Sequence, residues 1–272
     1  MKYQMIVSDV DGTLVDDKKR ISPRTVELIK RYQQMGGFFT LATGRTEISV
    51  RPYLDKLGIR GPVILYNGSR IVNVYDNTMV YDSSLDYDFA KLTLEVLKDF
   101  NYRVVLLINN TNYVSEMTPE IEEYASNNRI RCEIVPDLAA FLPGRPTKIL
   151  LIGDKAMTPA FIRRLSEVSG KTVNYVQSEP TYLEILPDGA SKGEALKKLA
   201  SVRNIPLERV AAVGDQLNDI SMAKAAGLGV AMRNSNPDML RQADYVTLSN
   251  EKEGVADLID KIIGDWNFKE NK

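Results

Sequence analysis

Apolar and polar positions follow two rhythms along this chain. The first 70 residues or so set out a regular one. The apolar-rich run Tyr3–Ser8 is short enough for a buried strand and stops at Asp9-Val10-Asp11-Gly12-Thr13. Ser22-Pro23 then opens a helix running to about Met35, because serine caps well and proline suits a first turn; Gly36-Gly37 ends it. Phe38–Ala42 is a second apolar strand, ending at Thr43-Gly44-Arg45, with a helix after it to about Leu57. Val63–Leu65 is a third, ending at Tyr66-Asn67-Gly68. Strand and helix in alternation predict a parallel sheet with crossover helices.

The second rhythm is mixed. Arg70–Val74 and Met79–Tyr81 flank Asp76-Asn77 and read as a hairpin. Between about Ser84 and Leu186 the pattern gives a helix over 86–99, strands near 103–108 and 112–114, and a helix over 118–127. Strands near 131–134 and 147–152, a helix over 158–169, and strands near 172–177 and 182–186 complete it. The regular alternation resumes with a helix over 191–202, strand Val210–Val213, a helix over 217–225 and strand Leu228–Ala231. Helices near 237–241 and 253–263 close the series. The predicted fold class is α/β: a Rossmann-like, doubly wound parallel-sheet core over 1–83 and 187–272, interrupted by an inserted α+β cap domain over 84–186. The polar tail past Trp266 is expected to fray.

Composition narrows the function. The 272 residues fit one large or two modest domains of ~100–200 residues, and 44% hydrophobic residues supply a core. A formal net charge of −1, from 35 basic and 36 acidic residues, gives no footprint for nucleic acid or an anionic membrane. No apolar run approaches the ~18 residues of a membrane span, and the opening MKYQMIVSDVDG lacks a secretory apolar stretch. The single cysteine, Cys132, cannot form an internal disulfide and reads as a small packed side chain; a reducing cytoplasm is the expected compartment. With no histidine anywhere, Ser-His-Asp and Cys-His catalysis, histidine metal sites and phosphohistidine chemistry are excluded. No P-loop sequence occurs. Oligomeric state is not encoded in these patterns.

The candidate chemistry lies at the strand ends. One aspartate after a strand is as readily a cap or a turn former. Asp9, Thr43 and Asp215 each end a separate apolar strand, and in open parallel sheets ligands bind beyond the carboxyl ends. Asp9 and Asp11 leave the first strand together, with Gly12 letting the backbone approach a ligand. Two carboxylates beside a phosphate would repel it, which implies a divalent cation. Asp215, Asn218 and Asp219 add hard oxygen ligands, suited to Mg2+ rather than zinc. Lys192, at the start of a helix, could neutralise an anion; most lysines here, Lys197 and Lys198 included, read as solvated.

Four of these segments together carry a resemblance: Asp9-Val10-Asp11-Gly12-Thr13, Thr43-Gly44-Arg45, Ser191-Lys192-Gly193 and Gly214-Asp215-Gln216-Leu217-Asn218-Asp219. In order and placement they resemble the haloacid dehalogenase superfamily, in particular Cof-type phosphatases with a large inserted cap. Tyr66-Asn67-Gly68, Leu183-Glu184-Ile185, Ala243-Asp244-Tyr245-Val246-Thr247 and Glu253-Gly254-Val255 are smaller matches. Arg233 departs from the pattern, standing where relatives often have glycine. The resemblance implies Asp9 as the nucleophile that takes the phosphoryl group, and Asp11 as general acid and then base. It implies Thr43, Gly44, Asn67, Lys192 and Asn218 around phosphate or substrate. Mg2+ would be held by Asp9, the Asp11 backbone carbonyl and Asp215, with Asp219 beside them. The implied activity is hydrolysis of phosphate monoesters of small metabolites such as sugar phosphates, nucleotides or vitamin phosphates, with the cap selecting among them. Two alternatives share the first half of the chemistry: a phosphosugar mutase, and a receiver-like phosphoryl-accepting module. The ~100-residue insert and Asp11 argue against the receiver.

Overall fold

The computed structural model describes residues 1–268. The chain forms two compact units: one from 1–44, 50–81 and Ser191 onward, the other from 45–49 and 82–190. Among the described residues, no helix is long and apolar enough to cross a membrane.

The first unit opens with β1 (Met5–Ser8), α1 (Pro23–Gln34), β2 (Phe38–Leu41), α2 (Glu47–Leu57), β3 (Val63–Leu65), β4 (Arg70–Val72) and β5 (Met79–Asp82). Ser22 starts α1 as the sequence suggests, its Oγ accepting from the Thr25 N–H at 3.1 Å, and Gly36 turns away at φ +86°. The second unit carries α3 (Tyr87–Leu97), β6 (Arg103–Ile108), β7 (Thr111–Val114), α4 (Pro119–Asn128), β8 (Cys132–Ile134) and α5 (Leu138–Phe141). It continues with β9 (Lys148–Ile152), α6 (Thr158–Ser169), β10 (Tyr175–Glu179) and β11 (Tyr182–Ile185). The first unit then resumes with α7 (Lys192–Val202), β12 (Val210–Gly214), α8 (Ile220–Ala225), β13 (Leu228–Ala231), α9 (Pro237–Gln242), β14 (Tyr245–Val246) and α10 (Gly254–Ile263).

The order β14-β13-β12-β1-β2 is parallel throughout. A parallel bridge from Ala42 to Ile64 carries it on to β3, where β3 and β4 run antiparallel. Beyond β1 the chain winds one way through β2 and later the other way through β12 and β13, so the direction of winding reverses at β1. Ser8 stands in register with both Leu41 and Val213, which puts Asp9, Thr43 and Asp215 just past one edge. Met5, Val7, Val210 and Ala212 pack against Leu196 and Leu199 of α7, while α1 packs on α10.

In the second unit the sheet order is β10-β11-β9-β6-β7-β8, antiparallel except for β7 beside β8. Alternation along β9 sorts its side chains. Ile149 and Leu151 face the core with Phe89, Phe161 and Leu165, while Leu150 and Ile152 meet Ile121 and Tyr124 of α4. Lys148 shares the second face. Its ammonium lies 2.9 Å from Glu184 Oε2, and the Ser178 hydroxyl donates to Glu184 Oε1 at 2.8 Å. Burial lowers the Lys148 pKa, but Glu184 and Tyr124 outweigh that and hold it above the usual lysine range. Cys132 is half-buried and burial pushes its thiol up, which suits packing rather than nucleophilic work.

Three expectations change, and one short helix, α5, was not anticipated. The strand expected near 172–177 lies at Tyr175–Glu179, because the Asn174 side chain is taken up by the carbonyls of Pro187 and Ala190. The helix expected over 217–225 starts as a 3-10 turn at Leu217–Asp219, drawn tight by the Asp219 carboxylate. One-turn α5, capped by Asp137, is too short to show a period. Fraying past Trp266 does not hold at Phe268, which is 2% exposed and meets Tyr3 and Tyr245 edge-on; residues 269–272 lie outside the described residues.

Candidate active site

The carboxyl ends of β1 and β12 converge on one buried cluster. Asp9 continues β1, its N–H bonded to the Val213 carbonyl at 2.9 Å. Asp215 follows β12, and Asp219 ends the 3-10 turn after it. Carboxylate oxygens of Asp9, Asp215 and Asp219 all lie within 4.8 Å of one another. Lys192, 1% exposed in its side chain, donates to Asp9 Oδ1 and Asp219 Oδ1, both at 2.6 Å. Asp219 Oδ2 accepts from the backbone N–H of Asp215 and Gln216, each at 2.9 Å. Thr13 donates to Asp215 Oδ1 at 2.7 Å, and Gln216 Nε2 to Asp215 Oδ2 at 2.9 Å.

Local sequence makes this close approach feasible. A Cβ at Gly12, which sits at φ +77°, would lie 2.5 Å from Asp215 Oδ2. A Cβ at Gly68, at φ +97°, would lie 2.1 Å from the Ser191 carbonyl, so glycine is what lets the loop after β3 pack on the start of α7. Ser191 caps that helix through the Glu194 N–H, which places Lys192 at its first position.

One ammonium faces three carboxylates, and the electrostatics follow. Burial raises the Asp9 pKa well above the usual carboxylate range; Lys192 pulls it down, while Asp219, Asp215 and Asp11 push it up. Asp215 is pushed up to about 6, by burial first and by Asp219 next, against the bonds from Thr13 and Gln216. Burial pulls Lys192 down, but Asp219 and Asp9 more than restore it, so it stays charged. A buried excess of hard oxygen charge, with no side chain at Gly12 to fill the gap beside Asp215, fits a divalent cation.

The remaining candidates fall into two groups. Asn218 Nδ2 donates to Asn67 Oδ1 at 2.9 Å, the Asn67 N–H bonds the Thr43 carbonyl at 3.0 Å, and a Cβ at Gly44 would lie 3.0 Å from Asn67 Nδ2. Thr43, Gly44, Asn67 and Asn218 thus form one patch, adjoining the cluster through Asp219. Asn218 Oδ1 is buried and makes no hydrogen bond among the described residues. Asp11 stands apart: its carboxylate is outside the three-carboxylate cluster and instead pairs with Lys19. The sequence reading missed Lys19, and it missed Asn234, whose Nδ2 donates to the Gly12 carbonyl at 2.8 Å. Asn234 had a faint signal in its neighbour Arg233; Lys19 had none.

The family model for haloacid dehalogenase-like hydrolases matches residues 6–259, nearly the whole chain. The chain belongs to the haloacid dehalogenase-like hydrolases. A Bacillus subtilis phosphatase of 5-amino-6-(5-phospho-D-ribitylamino)uracil, YitU, is 30% identical over 94% of this chain and 96% of its own. The putative phosphatase YxeH of the same organism is 30% identical over 96% and 98%. Among solved structures, a haloacid dehalogenase-like hydrolase from Bacteroides thetaiotaomicron superposes with a TM-score of 0.86 at 31% identity, covering 96% of this chain and 99% of that one. A sugar phosphatase of subclass IIB, 19% identical with a TM-score of 0.84, shares the fold. This hydrolase is therefore a phosphatase, as its relatives are named. Enzymes of the family generally use Mg2+, and the residues here that could hold it are Asp9, Asp215 and Asp219.

Proposed function

We propose that this phosphatase hydrolyses phosphate monoesters of small metabolites through an aspartyl-phosphate on Asp9. The carrying observation is the buried cluster: three carboxylates within 4.8 Å and a single lysine bonded to two of them. Asp9, Asp215 and the Asp11 backbone carbonyl would hold Mg2+, with Asp219 fixing Lys192 and the loop; the ion supplies charge neutralisation for an anionic phosphate. Lys192 fixes one oxygen of Asp9 and the other attacks phosphorus. The bond from phosphorus to the leaving oxygen breaks, and Asp11 gives that oxygen its proton. Water then attacks phosphorus, Asp11 takes the water's proton, and the bond to Asp9 breaks. Thr43, Gly44, Asn67 and Asn218 bind the phosphoryl oxygens or substrate, and the buried, unbonded Asn218 Oδ1 supports a polar ligand there.

We further propose that the α+β domain, residues 84–186, selects the substrate for the core of 1–83 and 187–272. The YitU name points to a phosphorylated sugar alcohol joined to a pyrimidine; that compound heads a screening panel with sugar phosphates, nucleotides and vitamin phosphates. Hydrolysis is favoured over mutase action by the phosphatase names of the full-length relatives.

The test separates the two aspartates of the motif. Asp11→Asn should accumulate phosphate on Asp9 when given a nitrophenyl phosphate, whose leaving group needs no proton, and the acid-quenched protein should gain one phosphoryl mass. Alkyl phosphates should fail in the first step, with losses of about 10²–10⁴. Normal turnover of alkyl phosphates by Asp11→Asn would falsify the assignment.

A further inference from the structure

The Asp11 carboxylate is paired with a residue that no motif contains. Its side chain is 33% exposed, and Lys19 Nζ lies 2.7 Å from its Oδ1. Lys19 sits on a five-residue turn built around Asp16. Asp16 Oδ1 accepts from the backbone N–H of Lys18 at 2.9 Å and of Arg20 at 2.8 Å. Asp16 Oδ2 accepts from Arg20 Nε at 2.8 Å. The Asp16 N–H bonds the Arg20 carbonyl, and the Lys19 N–H bonds the Asp16 carbonyl. This closure holds Lys19 at φ +59°, a left-handed conformation unfavourable for lysine.

The stem of the turn is anchored as well. Asn250 Nδ2 reaches the Val15 carbonyl at 3.2 Å and Asp17 Oδ1 at 3.1 Å, and the Asp17 N–H donates to Glu251 Oε1 at 2.8 Å. The Asn234 side chain links Gly12 to Asn250, donating to the Gly12 carbonyl and accepting from the Asn250 N–H. Lys19 thus leaves a fixed backbone on the same loop as its target. An exposed ion pair adds little to stability, so stability alone does not account for an anchored, left-handed lysine.

We propose that Lys19 is a positioning residue for Asp11. It draws the Asp11 carboxylate away from the cluster of Asp9, Asp215 and Asp219 and holds it where it exchanges protons with the leaving oxygen and the water. The inference rests on the reading of Asp11 as acid and base. Proton exchange demands hydrogen-bond reach, so a carboxylate held less firmly in place loses rate without losing substrate affinity.

The experiment uses the magnesium-loaded full chain. Lys19→Met, and Lys19→Asn, which suits the left-handed backbone, are compared with Lys19→Arg and Asp11→Asn. The donors are nitrophenyl phosphate and the best-hydrolysed alkyl phosphate of the panel. Rapid acid quench measures formation of phospho-Asp9. Lys19→Met and Lys19→Asn should slow this step about 10–100-fold with the alkyl phosphate and less than about threefold with nitrophenyl phosphate, with KM within about threefold. Lys19→Arg should recover most of the loss. Equal losses with both donors, a loss confined to KM, or no loss would overturn the role of Lys19. If Asp11→Asn itself shows no dependence on leaving group, the reading of Asp11 falls and this inference with it. If Asp11→Asn shows it and the Lys19 variants do not, only the positioning role falls.

Discussion

Lys192 and Lys148 are both almost wholly buried, with side chains 1% and 4% exposed, and both end on carboxylates. The first meets Asp9 and Asp219, with Asp215 beside them. The second meets Glu184, whose other oxygen takes the Ser178 hydroxyl. The Lys148–Glu184 pair is neutral in itself, so it can serve the specificity of a sheet face. The Lys192 cluster carries three negative groups against one positive and is costly to the fold unless a further cation joins it. Buried charge as such says little about function; buried charge that does not balance marks a place where a charged ligand belongs.

The sharpest way to break this contrast is to remove charge from the unbalanced side. Asp9→Asn should reduce turnover by at least about 10⁴-fold, since an amide is a poor nucleophile. The metal-free variant should nevertheless melt about 2–4 °C higher, because one of three mutually repelling carboxylates is gone. A lower melting temperature in the metal-free state would mean that the three charges were already compensated.

Next comes a pair of paired substitutions. Lys148→Met should destabilise by about 3–5 kcal/mol by taking the ammonium away from the buried Glu184 carboxylate, and adding Glu184→Leu should bring stability back to within about 1 kcal/mol. Lys192→Met should cost a similar ~3–5 kcal/mol, but adding Asp219→Leu should not restore it, since Asp219 also ties the backbone of Asp215 and Gln216. Denaturant unfolding of all four proteins decides the matter. Recovery in both double variants would erase the distinction.

The smallest effect concerns pH. Asp215 titrates near 6 in the fold, against an ordinary value of 3.8. Between those values the native state binds more protons than the unfolded chain, so the metal-free protein loses stability as pH rises through that window. Mg2+ needs the ionised carboxylates. The rise in melting temperature on adding Mg2+ should therefore be small near pH 5 and larger near pH 8. Thermal melts with chelator and with Mg2+ across that range test it; an increment that shrinks as pH rises would count against it.

Much of this was legible in the residues because the signals were local. Asp9, Thr43 and Asp215 stand where short apolar runs stop, and a parallel sheet gathers such stops along one edge. Gly12 and Gly68 sit where a side chain would collide, and their neighbours in sequence are functional candidates. What escaped depends on distant partners or on backbone shape. Phe268 looks like part of a polar tail until Tyr3 and Tyr245 close around it. Lys19 is one exposed lysine among many, and only the turn closed by Asp16 aims it at Asp11. Asn234 reaches the Gly12 carbonyl from across the chain, which no spacing rule anticipates.

The pairing of β1 with β12 has a consequence for how the protein comes into being. Met5 lies against Val210 and Ser8 against Val213, partners more than two hundred residues apart. At a synthesis rate of about 5–20 residues per second, the strand bearing Asp9 waits at least about ten seconds on the ribosome before its neighbour exists. The strands of the second unit, from β6 to β11, all emerge within that interval. Throughout it, the β12-facing side of β1 is an apolar strand without its partner, open to wrong pairings. The nascent chain meanwhile carries Asp9 but neither Lys192, Asp215 nor Asp219, so the buried cluster can assemble only when the last third of the molecule has arrived.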